Sequence, residues 1–235
     1  MRLTPNYRWW KPLLTLVLAA VFFLLFQVLF VIPFVIYFVA IQYTGSSDIL
    51  EFQAMIQGFQ EGGYGGFITD SPLSIVFVLT PLILLIPAVA LALKITGLGS
   101  LGTLSSVEGR LRWDRLRAYL VPAFVLVVLG GFLLPWIVEL ALAGELTLGE
   151  LPSLPTPHVV PAALVAILIL GPLQCAAEEY AFRGFLMQVF GSWIPVVVIP
   201  IALQTLLFTI GHPYELSGMI AIACMGLIMG GLTCF

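Results

Sequence analysis

The chain has 235 residues, 61% of them hydrophobic and only 9% charged, with a formal net charge of −3. A soluble domain carries roughly 25% charged residues, so this composition excludes a soluble globular protein, and nine basic residues in small groups exclude a nucleic-acid-binding face. At about 20 residues per crossing, the length predicts an all-α, polytopic helical membrane protein. It would hold about six transmembrane helices in a single domain, residues 1–235.

The first apolar run covers roughly residues 13–41, after Arg2, Arg8 and Lys11 and the interfacial pair Trp9 and Trp10. It exceeds one straight crossing, and Pro33 predicts a kink or break. Its apolar part is about twice too long for a signal peptide, so it reads as a spanning helix. A loop with Asp48, Glu51, Glu61, Asp70 and the patch Gly62-Gly63-Tyr64-Gly65-Gly66 follows and reads as a flexible external segment. A second crossing is predicted over roughly 72–93, ending at Lys94, and a third over roughly 120–142. Between them Arg110, Arg112, Arg115 and Arg117 alternate with Leu111, Trp113, Leu116 and Leu120. That pattern predicts a short interfacial helix or basic anchor, held by anionic membrane lipids at about 1 kcal/mol per basic residue. The positive-inside rule then puts the N-terminus and residues 94–117 in the cytoplasm and the two acidic loops outside, as in a cell inner (plasma) membrane.

Residues 12–157 therefore read as N-terminal helices and loops, and residues 158–235 as the part that carries chemistry. A fourth segment is expected to run from the loop of Pro152, Pro155 and Pro157 to Phe190, kinked at Gly171-Pro172. Gly191-Ser192 is expected to turn the chain into a fifth crossing, roughly 193–212, before a sixth over roughly 217–233. Gly226 and Gly230 on the sixth predict close helix packing within the monomer, with dimerisation as the sharper reading. Cys175, Cys224 and Cys234 form no Cys-x-x-Cys pair and read as buried free thiols.

Within the fourth segment stand Glu178, Glu179 and Arg183. Each charge costs roughly 3 kcal/mol at the centre of a bilayer, so the cluster is a functional-site candidate. Glu179 and Arg183 are at i and i+4 with the acid first, which predicts an ion pair. Glu178 is rotated about 100° away, onto a face with Cys175, Ala181, Phe182 and Phe185, and remains unpaired. One clamped carboxylate beside one free one is the division expected of a structural acid and a general base. Thr205, Phe208 and His212 form one semi-polar stripe on the fifth crossing. Counted from a turn at Gly191-Ser192, Glu178 lies 13 residues before and His212 20 after, a depth difference of roughly 10 Å. Kinks at Pro172, Pro195 and Pro200 would have to close it to give one intramembrane chamber between the C-terminal helices.

Glu178-Glu179-Tyr180-Ala181-Phe182-Arg183 and Phe208-Thr209-Ile210-Gly211-His212 resemble the Glu-Glu-x-x-x-Arg and Phe-x-x-x-His signatures of the CAAX-protease and bacteriocin-processing (CPBP, Abi-type) family of intramembrane proteases. The resemblance covers roughly residues 161–235. It implies an intramembrane endopeptidase, a hydrolase whose chamber holds a glutamate-activated water. Glu178 would be the base, Glu179 and Arg183 its supporting pair, and His212 a water-positioning or oxyanion-stabilising group. Cys175, Phe182, Thr205 and Phe208 are the candidate lining of the substrate chamber. The implied substrate is a peptide or a lipidated or leader-bearing protein, and the residues neither select among these nor fix an oligomeric state.

The family also places a further histidine, often with asparagine four residues on, on its last core helix. No such pair occurs here, which reads as a chain truncated before that motif; His158 precedes the glutamates and cannot replace it. No cofactor is expected. Zinc is the alternative, but a zinc hydrolase needs about three protein ligands, typically from a His-Glu-x-x-His helix. Here Glu178, Glu179 and His212 would have to supply all of them beside the repelling Arg183. The competing functional reading is a non-enzymatic membrane scaffold or a proton-coupled transporter that uses Glu178, Glu179 and Arg183 as a relay. A transporter should show paired broken helices in inverted repeats, and the sequence has one such segment.

Overall fold

The structure, a computed structural model, describes residues 1–2, 4–44, 72–129, 137, 160–212 and 214–234. Every element among them is helical. Four helical stretches are long and apolar enough to cross a membrane: Lys11–Ile36, Ile75–Thr96, Val165–Trp193 and Leu216–Thr233. Only 11–17% of their residues are buried within the protein. Their outward faces carry side chains such as Val17, Leu24, Val28, Leu168 and Ile228. Apolar surface on that scale requires lipid as its solvent, so the chain is an integral membrane protein.

Six crossings were expected, and the difference has two sources. The fifth, helix α8 (Val198–Ile210), is apolar but has only 13 residues. Most of the third, Glu139 included, lies outside the described residues, as do the acidic segment 45–71, the proline-rich loop and His158.

Helix α1 (Lys11–Thr44) runs unbroken across Pro33. A break there would expose several backbone groups where no water can satisfy them, whereas a continuous helix forgoes one bond. The second crossing is the one that breaks, into α2 (Pro72–Ile83) and α3 (Leu85–Thr96). Pro87 has no N–H for the Ile83 carbonyl, and Leu84 adopts a turn whose N–H bonds Pro81 O at 3.3 Å. Gln27 on α1 donates to the same carbonyl at 2.8 Å, a polar tie between helices inside the apolar layer. Gly97, at φ +66°, closes α3 in the left-handed conformation that only glycine adopts at no steric cost. Lys11 Nζ caps the same helix end through Thr96 O at 3.0 Å, and the buried Thr15 and Thr96 hydroxyls meet at 2.9 Å. The polar connection also holds a helix not anticipated from the sequence, α4 (Leu101–Ser105), started by a reciprocal Ser100–Thr103 capping box.

The chain divides into two compact units, residues 110–154 and the remainder. In the smaller one, α5 (Trp113–Val128) carries Arg115 and Arg117 on its opening turns and continues through Pro122 into the apolar run. Arg115 and Arg117 thus belong to a helix that continues into the apolar run, in place of a separate short one, while Arg110 and Arg112 precede it.

In the larger unit α6 (Val160–Glu178), a π-helical segment (Glu179–Leu186) and α7 (Met187–Trp193) follow without interruption. Neither Gly171-Pro172 nor Gly191-Ser192 ends a helix; the chain turns at residues 194–197, around Pro195. Trp193 Nε1 donates to Trp9 O at 2.7 Å and Tyr7 to Ser192 O at 3.0 Å, so the N-terminal segment holds the end of α7. Arg2 donates to Ser192 O as well. A core of Ala19, Val89, Leu93, Leu98, Phe185 and Val189 joins α1, α3, the π segment and α7.

Helix α9 (Leu216–Cys234) packs on α8 through its glycines. A Cβ at Gly226 would lie 2.9 Å from Thr205 Cγ2, and one at Gly230 2.8 Å from Gln204 Nε2, so these two positions serve packing inside the monomer. Gly231 has nothing within 4 Å. Gly230→Leu is therefore expected to cost about 1–3 kcal/mol by overpacking, and Gly231→Leu to be tolerated; thermal unfolding in detergent compares the two. Cys175 and Cys224 are free and exposed, contrary to the buried thiols expected, because both lie on faces that no described helix covers.

Candidate active site

From the turn at residues 194–197, Glu178 lies 16 residues back and His212 15 residues on. At about 1.5 Å per residue they stand at nearly the same height. The 10 Å mismatch came from putting the turn too early, and no kink is needed to remove it. His212 Nε2 lies 4.0 Å from Glu178 Oε1, and both side chains are about five-sixths buried, with 17% and 15% exposure.

The end of α8 fixes the imidazole. His212 N bonds Thr209 O, leaving the Phe208 carbonyl without a backbone partner, one of the orphan acceptors of a helix C-terminus. His212 Nδ1 fills it at 2.7 Å. A carbonyl only accepts, so Nδ1 carries a proton, and Nε2 is the ring nitrogen turned toward Glu178. The four-residue spacing of Phe208 and His212 thus has a direct cause. A gap of 4.0 Å is too wide for a direct hydrogen bond and of the size in which a water mediates between two polar groups.

The carboxylates take different partners. Arg183 and Glu179 face each other at 3.4 Å; the guanidinium is 2% exposed and the carboxylate 49%. At that separation they form an ion pair without hydrogen-bond geometry, and none of the three Arg183 nitrogens makes a hydrogen bond among the described residues. The cation instead lies over the Phe208 ring, 4.1 Å from its centroid. Phe182 meets the same ring edge-on at 5.1 Å, and His212 packs against it at a tilt, 4.5 Å between centroids. Phe208 thereby links the ion pair to the histidine.

Glu179 through Leu186 form wider turns closed by i→i+5 bonds, such as Met187 N to Phe182 O. Segments of this kind are frequent at functional sites. Gly184 lies within it where α4 comes close: a Cβ would stand 3.2 Å from Leu104 Cβ. Gln174, one turn before Glu178, donates its Nε2 to Glu178 Oε1 at 2.5 Å. It is a site residue not identified from the sequence, although an amide four residues before a carboxylate on an apolar helix is a visible signal.

A cavity of about 340 Å³ opens in front of the pair, lined by Glu178, Phe182 and His212 and, from α1 to α3, by apolar side chains including Ala19, Phe23 and Leu85. The N-terminal helices therefore supply one wall, where a chamber between C-terminal helices alone was expected. Of the four expected lining residues, Phe182 faces the cavity. Phe208 and Thr205 are buried behind it and Cys175 is exposed outside it. Among the described residues no three His, Cys, Asp or Glu side chains gather to hold a metal ion. A two-residue donor set beside a guanidinium does not fit a zinc centre.

Fold and site together define a helical membrane protein with a carboxylate–imidazole pair set into its membrane-spanning part. Residues 160–234 match the family described as Type II CAAX prenyl endopeptidase Rce1-like. No curated protein and no solved structure matches the chain.

Proposed function

We propose that the chain is an intramembrane endopeptidase that hydrolyses a peptide bond of a membrane-associated substrate with a glutamate-activated water. The reading rests above all on the 4.0 Å approach of Glu178 to His212 across a cavity of side-chain size within an Rce1-like segment. Glu178 takes a proton from the water, whose oxygen attacks the peptide carbonyl. The tetrahedral adduct then collapses as Glu178 returns that proton to the leaving amine, so one water is consumed and one acid and one amine are produced. Neutral His212 accepts the second water hydrogen at Nε2 and aims the attacking oxygen. Glu179 and Arg183 hold the helix geometry and keep the cation away from the base. The apolar wall from α1 to α3 suits a lipidated or otherwise apolar peptide, and the distribution of basic residues puts the N-terminus on the cytoplasmic side.

The test uses the full chain in proteoliposomes with a fluorescence-quenched prenylated peptide ending in a CAAX sequence. Cleavage is expected to persist in excess chelator, because the described residues bring two donors, Glu178 and His212, where a zinc hydrolase takes about three. Cleavage abolished by the chelator and restored by one added metal overturns the metal-free mechanism.

A further inference from the structure

We infer that Gln174 is a positioning residue for the Glu178 carboxylate, an assignment that rests on the peptidase reading above. Its side chain lies one turn before Glu178 on the same face of α6, with Nε2 2.5 Å from Glu178 Oε1. An acceptor facing a carboxylate oxygen would repel it, so the amide nitrogen points there; the amide oxygen faces Cys175 Sγ at 3.9 Å. The same Oε1 faces His212 at 4.0 Å. Gln174 thus makes the one hydrogen bond that anchors the carboxyl group, and no described residue donates to Oε2.

The residue type suits the task. A primary amide donates to a carboxylate without carrying a charge that would compete for it, whereas a lysine or arginine there would pair with Glu178 as Arg183 pairs with Glu179. The charged and titratable groups around Glu178 are Glu179, Arg183 and Cys175 on its own helix and His212 after α8. The cavity walls from α1, α2 and α3 are entirely apolar. Gln174 is therefore a neutral donor to the site, and removing it leaves the carboxylate with no hydrogen bond from the described residues.

Gln174→Met keeps length and removes the donor. In proteoliposomes with the quenched prenylated peptide, its kcat is expected to fall roughly ten- to hundredfold with little change in KM, the effect of losing a hydrogen bond to a charged group. Dicyclohexylcarbodiimide, which adds to protonated carboxyls in apolar surroundings, supplies a readout independent of turnover. Labelling of Glu178, followed by mass spectrometry at constant pH, is expected to rise roughly fivefold or more once the donor is gone. Unfolding temperature identifies variants that keep the fold, and Gln174→Leu replaces Gln174→Met if the latter loses it. Unchanged kcat and unchanged labelling in a folded variant overturn the assignment while leaving the peptidase reading intact. If even the parent chain cuts no peptide, that reading fails, and labelling alone still decides whether Gln174 holds Glu178.

Discussion

Glu178→Gln is expected to remove peptide cleavage while leaving the protein folded. The substitution keeps the volume and planarity of the side chain and replaces a base with an amide. The neighbouring carboxylate does not take its place: Glu179 is turned to Arg183 and does not line the cavity. General bases contribute about 10²–10⁴ in rate, and the loss of cleavage is expected within that range. The fold does not depend on the Glu178 charge, because its hydrogen bond from Gln174 and its 4.0 Å approach to His212 are local contacts at a cavity wall. Thermal unfolding should therefore stay within about 1 kcal/mol of the parent, the scale of one net hydrogen bond. The decisive measurement is turnover of the quenched peptide at equal folded-protein concentration. Residual activity within tenfold of the parent would move the base elsewhere. His212→Ala gives the complementary result: a folded chain with a smaller loss, since the water keeps its base and loses only its orientation.

Much of this site was legible because membrane sequence is unforgiving. Three charges in six residues of an apolar run stand out against a cost of several kcal/mol, and the i, i+4 spacing of Glu179 and Arg183 specified their pairing before any coordinates. The spacing of Phe208 and His212 was equally visible, but its cause was not. A carbonyl orphaned by a helix end exists only once that end is known. The turn misled because Gly191-Ser192 is the stronger local punctuation. Residues 187–193 nevertheless stay helical, since Ser192 donates to Val189 O and the N-terminal segment holds the Ser192 carbonyl. Those contacts join positions some 185 residues apart, which no local pattern reports. The π segment was invisible for a related reason, as no residue pattern in Glu179–Leu186 selects wider turns over an α-helix, and close packing at Gly184 accompanies them. The apolar wall from α1 to α3 carries no signature at all, because lipid-facing and cavity-facing residues of such helices have the same composition.

Glu179→Gln is expected to destabilise the protein more than its position suggests. Arg183 is 2% exposed, makes no hydrogen bond among the described residues, and has Glu179 as its ion-pair partner and the Phe208 ring as its other support. Removing one partner of a buried pair costs about 3–5 kcal/mol. Because Glu179 is half exposed and already shares part of its charge with its surroundings, the lower end, about 3 kcal/mol, applies. Activity should fall too, though Glu179 is not the base: the guanidinium already acts electrostatically on Glu178 and would be left with it as its nearest carboxylate. The double variant Glu179→Gln/Arg183→Met separates this account from simple loss of packing. It removes the stranded cation and puts an apolar chain against Phe208, a replacement that is often neutral for buried pairs. Unfolding in detergent is therefore expected to show the double variant more stable than Glu179→Gln alone, with part of the cleavage restored because Glu178 is again unpaired. If the second substitution instead deepens the first loss, the pair contributes by packing, and Glu179 does not act by occupying the arginine.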